Sequence, residues 1–300
     1  MYNRQLDTFI EVVHAGSFSK AAQNLYISPT AVIKQINLLE SGLELQLFIR
    51  THRGLILTEA GKSLYQDAKY MIQYSKDSLV RARNAMDQSE NVIRIGTSLM
   101  TPSQFLIGLW PKIHEKYLDL KFQLVPFENT PENAREILKN LGQNIDIVAG
   151  VFEKDFLKQR ECAALELSRE PIRCAVSIHH RLADKEKLEM SDLFGENLML
   201  IRRGWNSYVD LLRDDIWEHY PQIHVIDFNF YDMNVFNQCE RDNYILMAIG
   251  NWENVHPLLK ILPVEWEYKI PFGLLHSPNP SRQVQLFLNA VAQVMGLENK

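Results

Sequence analysis

Near the start of the chain, Leu6, Phe9, Ile10 and Val13 return every three to four residues, the spacing of one buried helix face. Gly16 follows as a natural helix stop. Ser17 or Ser19 can cap a second helix, whose inner face is Ala21, Ala22 and Leu25; the small alanines let two helices approach closely. Tyr26-Ile27 makes a turn. Ser28 then serves as N-cap and Pro29 takes the first helical position, where a proline loses no needed hydrogen bond. In this third helix Val32, Ile36 and Leu39 face inward, while Thr30, Ile33, Lys34 and Asn37 are left outside. Two short apolar runs, Leu45 to Phe48 and Gly54 to Leu57, flank Arg50-Thr51-His52-Arg53 and predict a small β-hairpin with a basic tip.

Thr58 is placed to cap a long helix running from Glu59 to about Asp87, roughly 40 Å at the α-helical rise. Leu64, Ala68, Met71, Leu79, Ala82 and Met86 form a near-heptad stripe on it, interrupted by Ser75 and Ser78. Such a stripe needs a partner, either the rest of this chain or a second copy. Gln88-Ser89-Glu90-Asn91 is short and polar, a reasonable hinge. Beyond it the pattern changes to alternating apolar runs and helical stretches. Val92 to Gly96, Lys121 to Phe127 and Ile145 to Gly150 read as strands. Helices through Phe105, Leu109 and Ile113, and from Thr130-Pro131 through Ile137 and Leu141, lie between them. This βαβαβ rhythm implies a parallel sheet covered on both faces. A second unit is expected from about Cys162 to Trp266, with strands at Ile172 to Ile178, Leu198 to Ile201, Ile223 to Phe228 and Ile245 to Ile249. Its helix runs from Trp205 to Tyr220. The chain then returns to the first unit through a strand from Tyr268 to Leu275 and a helix from Ser281 to Met295.

Composition narrows the function. The chain has 300 residues and a net charge of −5, which argues against non-specific coating of nucleic acid but not against a locally basic reading head. Up to Thr58, Arg4, Lys20, Lys34, Arg50 and Arg53 stand against Asp7, Glu11, Glu40 and Glu44, so any basic face comes from arrangement rather than excess. Cys162, Cys174 and Cys239 are distant and odd in number, with no CxxC pair, as expected in a reducing cytoplasm without disulfides or structural zinc. The start Met1-Tyr2-Asn3-Arg4-Gln5 has no apolar signal core, and no apolar run approaches a membrane span.

The outward face of the third helix suits a major groove of double-stranded DNA. Lys34 can reach phosphate or a guanine edge, Thr30 a base or a thymine methyl, and Ile33 can make only apolar contact. The hairpin residues Arg50, Thr51, His52 and Arg53 are placed for phosphates or the minor groove. Ser28, Pro29, Thr30, Ile33, Lys34, Arg50, Thr51, His52 and Arg53 are therefore the DNA-binding candidates. In the C-terminal part, ligands of open α/β sheets bind beyond the carboxyl ends of strands. Ser98, Met100 and Thr101, then Phe127 and Thr130, then Arg202, Arg203 and Trp205 occupy such places. Together they suit a small anion with an apolar part. The threonines can equally cap helices, and the arginines can equally form surface ion pairs. His179-His180 has no third ligand nearby and reads as a solvated turn. No GxSxG, Walker loop, GxGxxG or HExxH is present, so neither a catalytic centre nor a cofactor or metal is expected.

The first sixty or so positions resemble the LysR-type transcriptional regulators. The resemblance rests on Phe9, Gly16-Ser17-Phe18-Ser19, Ala21-Ala22, Leu25, Ser28, Ala31-Val32, Gln35-Ile36, Leu39-Glu40, Leu47-Phe48, Arg50, Arg53 and Leu57-Thr58-Glu59-Ala60-Gly61. His180-Arg181-Leu182-Ala183 is a weaker echo of the same family. Ile33 stands where the family usually has serine, and Glu44 where it usually has glycine. The first changes base preference and the second the way the helix ends.

The resemblance implies an N-terminal all-α winged helix-turn-helix with a long linker helix, then an α/β two-lobed effector domain like a periplasmic binding protein. The expected boundaries are 1–58 for the DNA-binding domain, 59–88 for the dimerisation helix and 89–300 for the effector domain. Within the last, lobe I covers about 91–161 and 267–300, and lobe II about 162–266. It further implies a sequence-specific regulator acting on a near-palindromic operator as a dimer or tetramer. A small-molecule effector between the lobes modulates its DNA binding. The alternatives from other classes are an enzyme or ligand-binding protein carrying an accessory DNA-binding head, and a module whose helix-turn-helix contacts protein.

Overall fold

The computed structural model describes residues 2–51, 54–86 and 92–297. The chain divides into two compact units, Met1–Gln88 and Ser89–Lys300.

The first unit opens with α1 (Gln5–Ala15), α2 (Phe18–Asn24) and α3 (Pro29–Leu43). Each boundary has a local cause. Gly16 ends α1 in the left-handed conformation (φ 65°), donating its N–H to the Val12 carbonyl. Ser17 caps α2 by accepting from the Lys20 N–H, and Ser28 caps α3 by accepting from Ala31, with Pro29 next. Glu44 ends α3 in the left-handed region (φ 56°), where a side chain is strained. Phe9, Val12, Ala21, Val32, Ile36 and Leu47 are among the buried residues that lock the three helices together.

Strands β1 (Phe48–Thr51) and β2 (Gly54–Leu57) form an antiparallel hairpin in register Phe48 to Leu57. Glu40 anchors it from α3: one carboxylate oxygen accepts the Leu47 N–H at 2.6 Å and the Phe48 N–H at 3.2 Å. Thr58 then caps α4 (Glu59–Met86) by accepting from Gly61, while its own hydroxyl donates to the Gln46 carbonyl. A β-carbon on Gly61 would sit 2.3 Å from the Leu47 carbonyl oxygen, so only glycine fits that crossing. The expected stripe of α4 divides between two faces. Leu64, Tyr65, Ala68 and Ile72 pack on the three-helix core, and Ser75 is buried in line with them. Met71 and Leu79, also of the expected stripe, lie outside with Tyr70 and Tyr74, whose rings stack at 6.0 Å, on a face left for a partner. The side chain of Met86 lies outside the described residues.

The second unit contains two five-stranded sheets. The first is built from β3 (Val92–Thr97), α5 (Gln104–Lys116), β4 (Lys121–Pro126), α6 (Pro131–Lys139), β5 (Ile147–Val151), α7 (Lys154–Gln159) and β6 (Ala163–Pro171). The second comprises β7 (Arg173–Ser177), β8 (Asn197–Ile201), α8 (Ser207–His219), β9 (His224–Phe228), α9 (Met233–Arg241), β10 (Ile245–Ala248) and β11 (Leu259–Pro263). The chain returns through β12 (Lys269–His276) and α10 (Arg282–Met295). The sheet orders are β4-β3-β5-β12-β6 and β11-β7-β10-β8-β9. Parallel pairing of β3 with β4 and β5, and of β8 with β9 and β10, follows the anticipated βαβ rhythm.

One boundary moves. The second lobe was expected to begin at about Cys162, but β6 pairs antiparallel with β12 and belongs to the first sheet. Its sequence hides it: Glu166, Arg169 and Glu170 break any apolar run, as suits an edge strand with one wet side. The chain therefore crosses between lobes just after Pro171 and again between Pro263 and Lys269. The two crossings are tied together. The Trp266 indole N–H donates to the Ile172 carbonyl at 2.7 Å, and the Ile172 N–H donates to Tyr268 at 2.9 Å. Among the described residues, no helix is long and apolar enough to cross a membrane.

His179-His180 also departs from expectation. His179 is exposed, but the His180 ring is buried, accepting the Leu182 N–H at Nδ1 and lying 3.4 Å from Glu196 through Nε2. It is a packed turn residue rather than a solvated one. All three cysteines are buried and free. Burial pushes the Cys239 thiol up to about 12, far from the thiolate a nucleophile needs.

Candidate DNA-reading helix and effector cleft

The capping of α3 by Ser28 and Pro29 decides what the helix shows outward. Val32, Ile36 and Leu39 are buried, so the opposite face carries Thr30, Ile33, Lys34, Asn37, Leu38 and Ser41, which line one shallow groove. Among the described residues, Lys34 is the only charged side chain lining it. Three acids of this unit are engaged: Glu40 by the hairpin N–H groups, Glu11 by the Asn24 amide and Asp7 by the Tyr2 hydroxyl. The face is thus a cation amid hydroxyl, amide and apolar groups, the chemistry that reads base edges. Of the predicted residues, Thr30, Ile33 and Lys34 come together here. Ser28 and Pro29 stand exposed at the helix start, with the serine hydroxyl occupied by its cap. Leu38 and Ser41, one turn further along, were not anticipated as members. Tyr26, in the turn before α3, is 95% exposed with φ 56°.

In the hairpin, the Thr51 hydroxyl donates to the Gly54 carbonyl at 2.9 Å and closes the tip. Arg50 lies in β1, but its side chain, with all of His52 and Arg53, is outside the described residues.

In the second unit a cleft opens between the lobes, with about 1060 Å³ of empty space that includes open solvent. Hydrogen bonds span it. The Asn129 amide donates to the Tyr231 carbonyl at 2.7 Å, and the Trp252 indole donates to Met100 at 3.0 Å. Nearby, the Ser207 N–H and hydroxyl both donate to Glu153. Aromatic walls come from Phe156 and Phe272 on the first lobe and Trp205, Phe230, Tyr231 and Trp252 on the second.

Met100, Thr101, Arg202 and Trp205 line this cleft as the sequence suggested. Other predicted residues do not. Ser98 lines a neighbouring polar recess with Gln104 and Asn254. Its hydroxyl and that of Thr101 bond each other at 2.8 Å, which shapes the turn. Phe127 packs with the apolar cluster around Leu138. Thr130 accepts from Asn133 as the α6 cap, and Arg203 pairs with Asp214 on the surface.

Two residues that sequence reasoning passed over, Arg135 on α6 and Arg160 just after α7, complete the cleft's charge. Each sits in a run of charged residues, Glu132 to Glu136 or Lys158 to Glu161, and so reads as a solvated helix face. In the fold, Arg160 lies over the Phe156 ring at 5.0 Å, and its Nη1 is buried without a hydrogen-bond partner. Burial, and then the like charge of Arg135, lower the pKa of this guanidinium. Among the described residues no carboxylate lines the cleft.

These two sites sit in regions matched by known families. Residues 3–62 match the bacterial regulatory helix-turn-helix protein, lysR family, and residues 87–296 match the LysR substrate binding domain. An uncharacterized HTH-type transcriptional regulator of Methanocaldococcus jannaschii is 29% identical over 257 residues, 85% of this chain and 80% of that protein. The HTH-type transcriptional regulator ClcR of Pseudomonas putida is 43% identical over 82 residues, 27% of this chain and 28% of its own. The crystal structure of CbnR, a LysR family transcriptional regulator, shares the fold with a TM-score of 0.58 at 18% identity, covering 98% of this chain and 99% of that one. With a helix-turn-helix head and a two-lobed ligand domain both matched along most of its length, the chain belongs to the LysR family of DNA-binding, effector-responsive transcriptional regulators.

Proposed function

We propose that this regulator works in the cytoplasm and binds a near-palindromic operator as a dimer or tetramer. Thr30, Ile33 and Lys34 read the major groove and the hairpin tip, Arg50 to Arg53, touches the backbone. A small anionic effector enters the cleft between the lobes, with Arg202 and the aromatic walls among its contacts. Closure on the effector biases the assembly between arrangements that hold the heads at different spacing, and so changes DNA affinity or bending. Catalysis has no part in this reading.

The observation that carries it is the outward face of α3, where one lysine, without an ion pair among the described residues, stands among groups suited to base edges while Glu40 and Glu11 are engaged. Self-association is supported by the outward stripe of α4, where Tyr70, Met71, Tyr74 and Leu79 are exposed large apolar residues on one long helix. The test is footprinting of the DNA upstream of the protein's own gene and of sites selected from random DNA, with wild type and Lys34→Ala. A protected near-palindromic site that weakens in the variant supports the reading. Equal protection by both proteins removes Lys34 from the reading surface, and failure to select any sequence from random DNA overturns the operator assignment.

A further inference from the structure

Among the described residues the effector cleft holds three guanidinium groups and no carboxylate, and the groups are divided between its walls. Arg135 and Arg160 belong to the first lobe, on α6 and just beyond α7. Arg202 belongs to the second, just beyond β8. None of the three forms an ion pair among the described residues, whereas the adjacent Arg203 is neutralised by Asp214. Arg160 is the informative member. Its Nη1 is buried and unsatisfied, an arrangement that costs free energy in the empty protein and is relieved when an acceptor arrives.

Resting on the regulator reading above, we propose that the effector is an organic dianion with a flat apolar body. One oxyanion group is held by Arg135 and Arg160 on the first lobe, and the second by Arg202 on the other. The body lies among the aromatic walls, Phe156 and Trp205 included. Charge matching favours two anionic groups. A monoanion seated on the first lobe leaves Arg202 facing it unmatched, and one seated on the second leaves the Arg160 donor buried and empty. A guanidinium also meets carboxylate or phosphate oxygens through paired N–H donors, which fixes the ligand's direction across the cleft. Anchoring one end on each lobe makes the ligand itself the clasp that holds the lobes closed.

The experiment compares benzoate with terephthalate, which share a ring and differ by one carboxylate. Binding is measured by calorimetry on the full-length protein without DNA, for wild type, Arg160→Gln, Arg202→Gln and, as a control, Arg203→Gln. Wild type and Arg203→Gln are expected to bind terephthalate at least about tenfold more tightly than benzoate. In Arg160→Gln and Arg202→Gln the preference shrinks to within about threefold. Ligand-free Arg160→Gln should also melt higher than wild type, because the substitution removes a desolvated charge beside Arg135, a change that a merely structural arginine does not produce. If Arg160→Gln does not fold, the exposed Arg202 carries the comparison alone. Equal affinities in wild type, no terephthalate binding at about 10 mM, or a preference surviving in both cleft variants overturns the proposal. Because no DNA is present, these failures are separable from a failed footprint, which bears on the regulator reading alone.

Discussion

Replacing Glu40 with alanine tests how the hairpin is held against the reading helix. In the structure one Glu40 oxygen accepts two backbone N–H groups, Leu47 at 2.6 Å and Phe48 at 3.2 Å, and Leu47 is fully buried. Alanine leaves both donors without that acceptor. An unsatisfied buried donor costs about 1–3 kcal/mol, and water reaches the second position more easily than the first, so the expected loss is about 2–4 kcal/mol. Glutamine keeps an acceptor oxygen and loses only the charge assistance, for about 1 kcal/mol. The measurement is hydrogen exchange of the α3 and hairpin amides in the full-length protein, alongside salt-dependent affinity for a selected operator. Glu40→Ala should lose protection in β1 and β2 first and weaken DNA binding, although Glu40 is not on the groove face of α3. Glu40→Gln should stay within about tenfold of wild type in both, the equivalent of ~1.4 kcal/mol. If alanine and glutamine behave alike, the carboxylate is not what fixes the hairpin and the reasoning fails.

Three further outcomes follow from single positions. Glu44→Gly should stabilise the head by about 0.5–1 kcal/mol, since relief of a left-handed side chain, about 1–2 kcal/mol, outweighs the extra freedom of unfolded glycine; slower exchange of the α3 amides is the readout, and faster exchange contradicts it. Gly61→Ala should destabilise the head by about 1–3 kcal/mol, because its β-carbon collides with the rigid Leu47 carbonyl rather than with a movable side chain. Unchanged melting of the variant would show that α4 shifts freely. His276 has its pKa lowered, chiefly by burial and despite the hydrogen bond from its ring to the Ser277 carbonyl, so the unfolded chain binds more protons as pH falls below its ordinary value. Stability from this residue is therefore complete above about pH 6.5 and is lost as pH falls toward the lowered folded value. In His276→Gln, the slope of stability against pH in that window should flatten, as read by denaturant titrations at several pH values.

The reading head was legible because its instructions are local. Gly16, Ser17 and Ser28-Pro29 fix helix ends within a few residues of themselves, and Ala21-Ala22 states its close packing directly. The helix α4 was legible as a helix with a stripe in need of a partner, but not in how that stripe divides between two faces. A near-heptad count favours Met71, whereas the neighbouring core beneath Ile72 and Ala68 decides which side turns in. Strand β6 escaped notice because its partner β12 lies about a hundred residues later, and its charged wet side erases the apolar run. The cleft was half legible. Met100, Thr101, Arg202 and Trp205 follow strand ends, where a rule of open α/β sheets points. Arg135 and Arg160 follow no such rule: a charged residue on a helix or at its end looks solvated until the fold lays a second lobe opposite it.

The paired crossings beside Ile172 and Trp266 have a mechanical consequence. A single tether would let the lobes swivel, tilt and slide independently. Two connections stitched by the Trp266 indole and the Ile172 amide should act as a flat leaf spring, stiffer to twist than to bending. Whatever work a ligand does in the cleft is then channelled into one angular coordinate, so ligands of different length should be distinguished by how far that angle travels rather than by its direction.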